Sequence, residues 1–431
     1  MRKFFTVLSA IFVCMLVFMV AIAQTQELDA IASYQAQLAA DSHATANLAG
    51  PALTSGGFSS ADIVARISVA KELLSSKLDP STISHDSVRL AALDPDTSQL
   101  DIFSLAKDEF LTKDADLTAT TQYGRKVHIH VTRANGVNTA VIVTDIATGQ
   151  SLVPLTVQFP IVRNEAVSEV AYYTSAHPAL LSPEVASAGQ SYVHAMLNTA
   201  AQNLARQGVE VPADIVDVAE HLCIVEHTDH KRFTSEPHSA LFPEILSLYA
   251  LNQGDTFRYS VSSAGAGGMI QMIPRTYEMI RQQHPTVSLN SDFVDGMRDH
   301  SNALEAMLLY MNDTWSGLEK SVEVKDALRS GIATKAELLA AGYNSNPVRL
   351  RVYLKNGGAE WRTLIPTETQ IYLAIYSSVD KNVDLGTDNS MANNWALLTR
   401  PLAFTEPKNS LSLYSWIGQS LLSVSAPSLF P

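Results

Sequence analysis

The sequence predicts an α+β fold, in which a smaller N-terminal domain of helices and a three-stranded β-meander precedes a larger, mainly helical domain. Three observations carry this expectation. Apolar residues recur at helical spacing before residue 120 and again from about residue 166 to 380. Between Lys126 and about residue 165 the period changes to two, with turn residues between the runs. The chain has 431 residues, of which 46% are hydrophobic and 17% charged, enough apolar material to build more than one domain.

The first residues, MRKFFTVLSAIFVCMLVFMVAIAQTQ, combine basic Arg2 and Lys3, an apolar stretch from Phe4 to Val20, and the small-x-small site Ala21-Ile22-Ala23. This is the pattern of a signal peptide over residues 1–23, so the protein is expected to be exported to the periplasm or cell envelope. An uncleaved membrane anchor is the competing reading, because the apolar run approaches the length that spans a bilayer. Thirty Lys and Arg stand against 43 Asp and Glu, giving a net charge of −13. That balance argues against a nucleic-acid partner, which needs a basic face to neutralise phosphates. With only Cys14 and Cys223, a disulfide scaffold and a cysteine-based zinc module are excluded.

Residues 24–165 are expected to form the N-terminal domain. In SSADIVARISVAKELLSSKL, Ser60 stands at a capping position and Ile63, Ile67 and Ala70 share a helix face. The meander begins with Val127, Ile129 and Val131 alternating with His128, His130 and Thr132, and Asn135-Gly136 offers the positive φ of a hairpin turn. AVIVTDI follows, then a turn at Thr148-Gly149, then LTVQFPIV. His128 and His130 fall on one side of the strand, as a metal pair would, but a solvated sheet face accounts for them, and no metal is assigned. Residues 166–380 form the predicted helical domain, and residues 381–431, rich in Ser, Leu, Pro and Asn, read as a C-terminal wrap or tail.

Four segments of the helical domain carry residues fit for chemistry. In VPADIVDVAEHLCIVEHTDHKRF, Ile215, Ala219, Leu222 and Glu226 follow one another at spacings of four, three and four, so Glu226 lies on the apolar stripe. A carboxyl so placed is either paired structurally or set in a cleft, where desolvation raises its pKa. SSAGAGGMIQMIPRTY, residues 262–277, brings small residues beside Ser262, Ser263 and Gln271 and lets backbone approach a ligand. In TKAELLAAGYNSNP, Thr334 and Glu337 form a capping box for a helix that runs into Tyr343 and Asn344. IPTETQIYLAIY places Glu368 and Tyr372 one helical turn apart on one face.

In this order the four segments, over about residues 205–380, resemble the soluble-type lytic transglycosylase domain, a lysozyme-like family related to goose-type lysozyme. That family shows a helix ending in its catalytic Glu, then Ser-x-Ala-Gly-Ala-x-Gly-x-x-Gln-x-x-Pro, then Ala-Tyr-Asn, then Glu-Thr-Arg-x-Tyr. Here Glu226, Ser262 through Pro274, Tyr343-Asn344 and Glu368 through Tyr372 stand at the matching places. The chain departs from the pattern at His227, where the family has Ser, at Ile273 for Met, at Gln370 for Arg and at Asn346 for Gly. A far longer stretch also separates Glu226 from Ser262, and it carries Glu236 and Glu244 as alternative acids.

The resemblance implies a lysozyme-like fold for the helical domain and cleavage of the β-1,4 bond between N-acetylmuramic acid and N-acetylglucosamine in peptidoglycan glycan strands, with a 1,6-anhydro product and no cofactor. It implies Glu226 as the acid, Tyr343 as the residue that orients it, and Ser262, Gln271, Ile273, Asn344 and Glu368 as residues that bind or brace the sugars. Two other outcomes stay open: a muramidase-type hydrolase, with Asp229 or Asp255 holding a water, and a non-catalytic glycan-binding envelope protein. Other cell-envelope proteins are conceivable partners. His221, His227, Asp229 and His230 crowd around Glu226 without the His-Glu-x-x-His spacing of a zinc site. Cys223 reads as a small buried helix residue.

Overall fold

In the computed structural model, residues 60–75 and 83–383 are described. The expected signal peptide at 1–23 and all but the first three residues of the expected tail at 381–431 lie outside them. Among the described residues no helix is long and apolar enough to cross a membrane.

Strands β1 (Ser87–Leu93), β2 (Leu100–Ala106), β3 (Asp116–Thr120), β4 (Lys126–Arg133), β5 (Ala140–Asp145), β6 (Ser151–Arg163) and β7 (Ala166–Tyr173) form one antiparallel sheet in the order β2-β1-β6-β5-β4-β3, with β7 also on β6. Thirteen-residue β6 makes this possible: β1 lines one edge, while β5 and then β7 occupy the other. Val127, Ile129 and Val131 are buried, and they pack with Val88, Leu90, Phe103, Val143 and Leu152 on the concave side. Gln122, just after β3, brings the outer edges together. Its backbone N–H donates to Ile102 O at 3.0 Å and its Nε2 to Leu100 O at 2.9 Å, while its Oε1 accepts from the Ile102 N–H. The sheet is thereby curled into a nearly closed barrel.

This overturns the predicted fold class, a mainly helical lysozyme-like domain preceded by a three-stranded meander. The three expected strands are the middle of a seven-stranded sheet, and that sheet continues to Tyr173. Ala, Leu and Ser dominate β1 and β2 and have no strong strand preference of their own, so pairing of β1 along β6, and of β2 along β1, decided their conformation. Nor is Asn135-Gly136 a two-residue hairpin: Asn135 has φ −154°, only Gly136 is positive at +53°, and a 3₁₀ turn covers Gly136–Asn138.

The helices are α1 (Ser60–Ser75), α2 (Pro183–Arg206), α3 (Ala213–Val225), α4 (His230–Ser235), α5 (His238–Asn252), α6 (Pro274–Gln283), α7 (Phe293–Arg298), α8 (His300–Leu318), α9 (Val322–Arg329), α10 (Lys335–Asn344), α11 (Leu350–Gly357) and α12 (Thr367–Asn382), besides one turn at Lys107–Phe110. Apolar α3 runs through their centre with Ile215, Ala219, Leu222 and Cys223 fully buried, and it packs on α2, α5, α8, α10 and α12. The stretch between Glu226 and Ser262 folds as α4, α5 and the turn after them. Helix α5 lies so close on α2 that a Cβ at Gly189 would overlap the Leu246 carbonyl. It also joins the two halves of the molecule: Leu248 belongs to the sheet's core, and Ala250 and Leu251 pack with α1, β1 and β6.

Candidate active site

Glu226 caps the C-terminus of α3, its N–H bonded to Leu222 O at 3.0 Å. The buried stripe that ends there delivers its carboxyl to a cleft of about 550 Å³. The seven residues that the resemblance implies as the site, Glu226, Ser262, Gln271, Ile273, Tyr343, Asn344 and Glu368, all line this cleft, with Tyr372 beside them. Segments more than 140 residues apart in sequence, such as those of Glu226 and Tyr372, meet here.

Tyr372, 3% exposed, donates its hydroxyl to Glu226 Oε1 at 2.6 Å. Burial holds that hydroxyl well above its ordinary pKa, so it remains a donor. Burial is also the main cause that pushes the Glu226 carboxyl up to about 8, with the negative charge of Glu368 adding to the rise and the Tyr372 hydrogen bond opposing it. Glu226 is therefore protonated at neutral pH although it opens on to solvent through the cleft. Tyr343 does not contact it by a hydrogen bond: its hydroxyl donates to Ile270 O at 2.8 Å and fixes the opposite wall. The hydrogen bond to Glu226 comes from Tyr372 and not from Tyr343. The sequence held the signal, since Tyr372 lies one turn from Glu368 on the same helix face.

Between Val261 and Pro274 the chain makes a tight double turn, bridged from Gly267 to Val261 and to Met272. Ser262 Oγ accepts from the Ala266 N–H at 3.0 Å. Gln271, with φ +46°, donates from Nε2 to Gly268 O at 2.8 Å and Ser260 Oγ at 3.3 Å, leaving its amide oxygen for a ligand. Gly268 has φ +70° and packs so closely that a Cβ would overlap the Met297 carbonyl oxygen. Ile273, 41% exposed, sits just before Pro274 at the start of α6 and offers an apolar face. On the far side, the capping box of Thr334 and Glu337 starts α10, which ends at Asn344, whose Oδ1 accepts from Thr369 Oγ1 at 2.8 Å. That bond joins the ends of α10 and α12 and sets Glu368 at the rim.

His227, the first departure from the family pattern, has a structural task. Its ring lies parallel to Phe257 at 3.4 Å, and Nε2 contacts Met269 O at 2.9 Å. Burial drives its pKa down to about 3, so the ring is neutral and Nε2–H is the donor to that carbonyl. The end of α3 is thus tied directly to the glycine-rich turn. Asn346 has φ −71° and caps the turn at Pro347–Arg349, so the left-handed conformation available to Gly is not used. Gln370 Nε2 donates to Ile365 O and does not line the cleft.

The other carboxylates are occupied elsewhere. Arg232 bonds both Glu236 and Glu244, and Arg133 of β4 also bonds Glu244. Burial alone would raise the Glu244 carboxyl, but the two guanidinium groups outweigh it and hold it below its ordinary value. Asp229 caps α4 through the Arg232 N–H, Asp255 lies near Arg258, and neither lines the cleft. His221 pairs with Asp380. His128 and His130 both contact Asp116 Oδ1, at 3.1 and 3.0 Å, on the outside of the sheet. Burial pushes the Cys223 thiol far up, away from the reactive thiolate.

The chain matches no protein-family model, no curated protein and no solved structure.

Proposed function

We propose that this protein is an exported peptidoglycan lytic transglycosylase. The observation that carries the proposal is Glu226: a carboxyl protonated at neutral pH, held by Tyr372, in a cleft that gathers all four motif segments. In the first step its proton passes to the glycosidic oxygen, the bond from that oxygen to C1 of N-acetylmuramic acid breaks, and N-acetylglucosamine leaves as an alcohol. The substrate's own acetamido group shields the positive C1. In the second step the ionised carboxylate takes the proton of the muramic 6-hydroxyl as O6 bonds to C1. Glu226 is then protonated again, and no water has been consumed.

This route needs one acid that changes role, whereas hydrolysis needs a second carboxylate that activates water or forms an intermediate. Among the described residues the cleft is lined by two carboxylates, Glu226 and Glu368. Glu368 sits exposed at the rim, at the family position of a bracing residue, and its charge supports protonated Glu226. Ser262, Gln271 and Asn344 offer polar groups for acetamido and hydroxyl groups, and Ile273 an apolar face for a sugar ring.

The test is a digest of intact peptidoglycan, reduced with borohydride and analysed by mass spectrometry. Muropeptides ending in 1,6-anhydro-N-acetylmuramic acid, lighter by one water than hydrolytic products and untouched by borohydride, support the proposal. Reducible N-acetylmuramic acid ends would identify a muramidase instead. Binding of glycan strands without any release would identify a non-catalytic envelope protein.

A further inference from the structure

The seven-stranded sheet contributes none of the residues that line the cleft, yet one of its side chains reaches the segments that build the cleft wall. Glu169 on β7 accepts from Tyr259 Oη at 2.8 Å and Arg258 Nη2 at 3.1 Å through Oε1, and from Arg298 Nη1 at 3.1 Å through Oε2. Both guanidinium groups lie over the Tyr259 ring, at 5.8 and 5.2 Å from its centre. Two cations on one ring repel each other, and Glu169 is the carboxylate bonded to both. Asp255 stands only at the edge of the group, 3.9 Å from Arg258.

The residues next to these contacts hold the glycine-rich turn. Ser260, after Tyr259, accepts the Gly268 N–H at 3.1 Å and, through Oγ, Gln271 Nε2 at 3.3 Å. Met297, before Arg298, packs its carbonyl against Gly268 from the other side. One carboxylate of the sheet thus clamps both supports of the corner from Gly268 to Gln271. Glu226 and Tyr372 stand on α3 and α12, which Glu169 does not bond.

We propose that Glu169 is a positioning residue for the cleft, acting through Arg258, Tyr259 and Arg298 to fix the wall that carries Gln271. The kinetic part rests on the transglycosylase reading; the structural part does not. In the full chain, Glu169→Ala is expected to raise KM for soluble glycan strands about tenfold and to change kcat little, because the acid and its partner are undisturbed. Amide hydrogen exchange over residues 260–272 is expected to quicken about tenfold while residues 213–225 keep their protection. Glu169→Gln, which keeps an acceptor for Tyr259, should lie between Ala and wild type in both readouts. Glu244→Gln serves as control: it breaks an ion pair between sheet and helices outside the cleft, and should lower Tm without moving KM.

Wild-type KM together with unchanged exchange over 260–272 in Glu169→Ala would overturn the proposal. So would a Glu244→Gln variant with the same rise in KM, which would reduce the effect to general loosening. If Glu169→Ala does not fold, Glu169→Gln decides: faster exchange over 260–272 supports the clamp and unchanged exchange refutes it. A wild-type protein that releases nothing from peptidoglycan sinks the transglycosylase reading alone, since the exchange comparison stands without activity.

Discussion

The hydroxyl of Tyr372 donates to Glu226 Oε1 at 2.6 Å, and this bond works against the burial that keeps Glu226 protonated. A donor to the carboxyl stabilises its charged form, while the apolar surroundings and Glu368 stabilise the neutral one. The balance lies near neutrality, where one group can give a proton and take one back within a cycle.

Glu226→Gln keeps the shape and loses the proton. Cleavage of peptidoglycan should fall by at least about a thousandfold with circular dichroism unchanged. The variant should also lose less stability than wild type as pH rises. A carboxyl whose pKa is about 8 folded and near 4.5 unfolded contributes stability that is complete below the lower value and lost as pH rises through the higher one. With allowance for solvent in the cleft, wild type should lose about 2 kcal/mol between pH 5 and pH 9 that Glu226→Gln retains. Denaturant titrations at the two pH values measure it.

The two neighbours of Glu226 should move the alkaline limb of kcat/KM in opposite directions. Tyr372→Phe removes the bond that favours the carboxylate, so the limb should shift to higher pH, while kcat drops about tenfold or more because the carboxyl loses its anchor. Glu368→Gln removes the repelling charge, so the limb should shift to lower pH. Shifts of the same sign would show that another group sets the limb.

His227→Phe preserves the stack on Phe257 and deletes the donor to Met269 O. A buried carbonyl left without its partner costs about 1–3 kcal/mol, to be seen in the unfolding free energy. Because this bond ties the end of α3 to the glycine-rich turn, kcat should fall about tenfold as well.

Gly268→Ala and Gly265→Ala separate a steric requirement from a conformational one. Both glycines have positive φ, +70° and +77°, but only at Gly268 does a Cβ meet backbone, the Met297 carbonyl. Gly265→Ala should cost about 1 kcal/mol of stability. Gly268→Ala should cost about 3 kcal/mol or more and displace the turn, raising KM. Equal effects would contradict the close packing of α7 on the turn.

Much of the candidate site could be read from local pattern. A stripe at spacings of four, three and four places Glu226 at the end of a buried helix face, because a helix repeats every 3.6 residues whatever surrounds it. Small residues around Gln271 announce a tight turn, and Thr334 with Glu337 announces the start of α10. Tyr372 was legible in the same way as a neighbour of Glu368, but the partner of its hydroxyl was not, since side chains from helices 146 residues apart meet only after both have packed.

Sequence pattern alone sets the local units: the alternation of β4 and β5, the apolar α3 and the capping box. Tertiary structure decided everything that depends on pairing at a distance. The Ala- and Leu-rich segments of β1 and β2 have no strong conformational preference of their own; β1 is held in the sheet by the edge of β6, and β2 by the edge of β1. Gln122 then curled that sheet, and Glu169 carried its support across to Arg258 and Arg298. Hydrogen bonds between strands and ion pairs between remote side chains form only once loops have closed, and a linear pattern of residues holds no record of which loops those are.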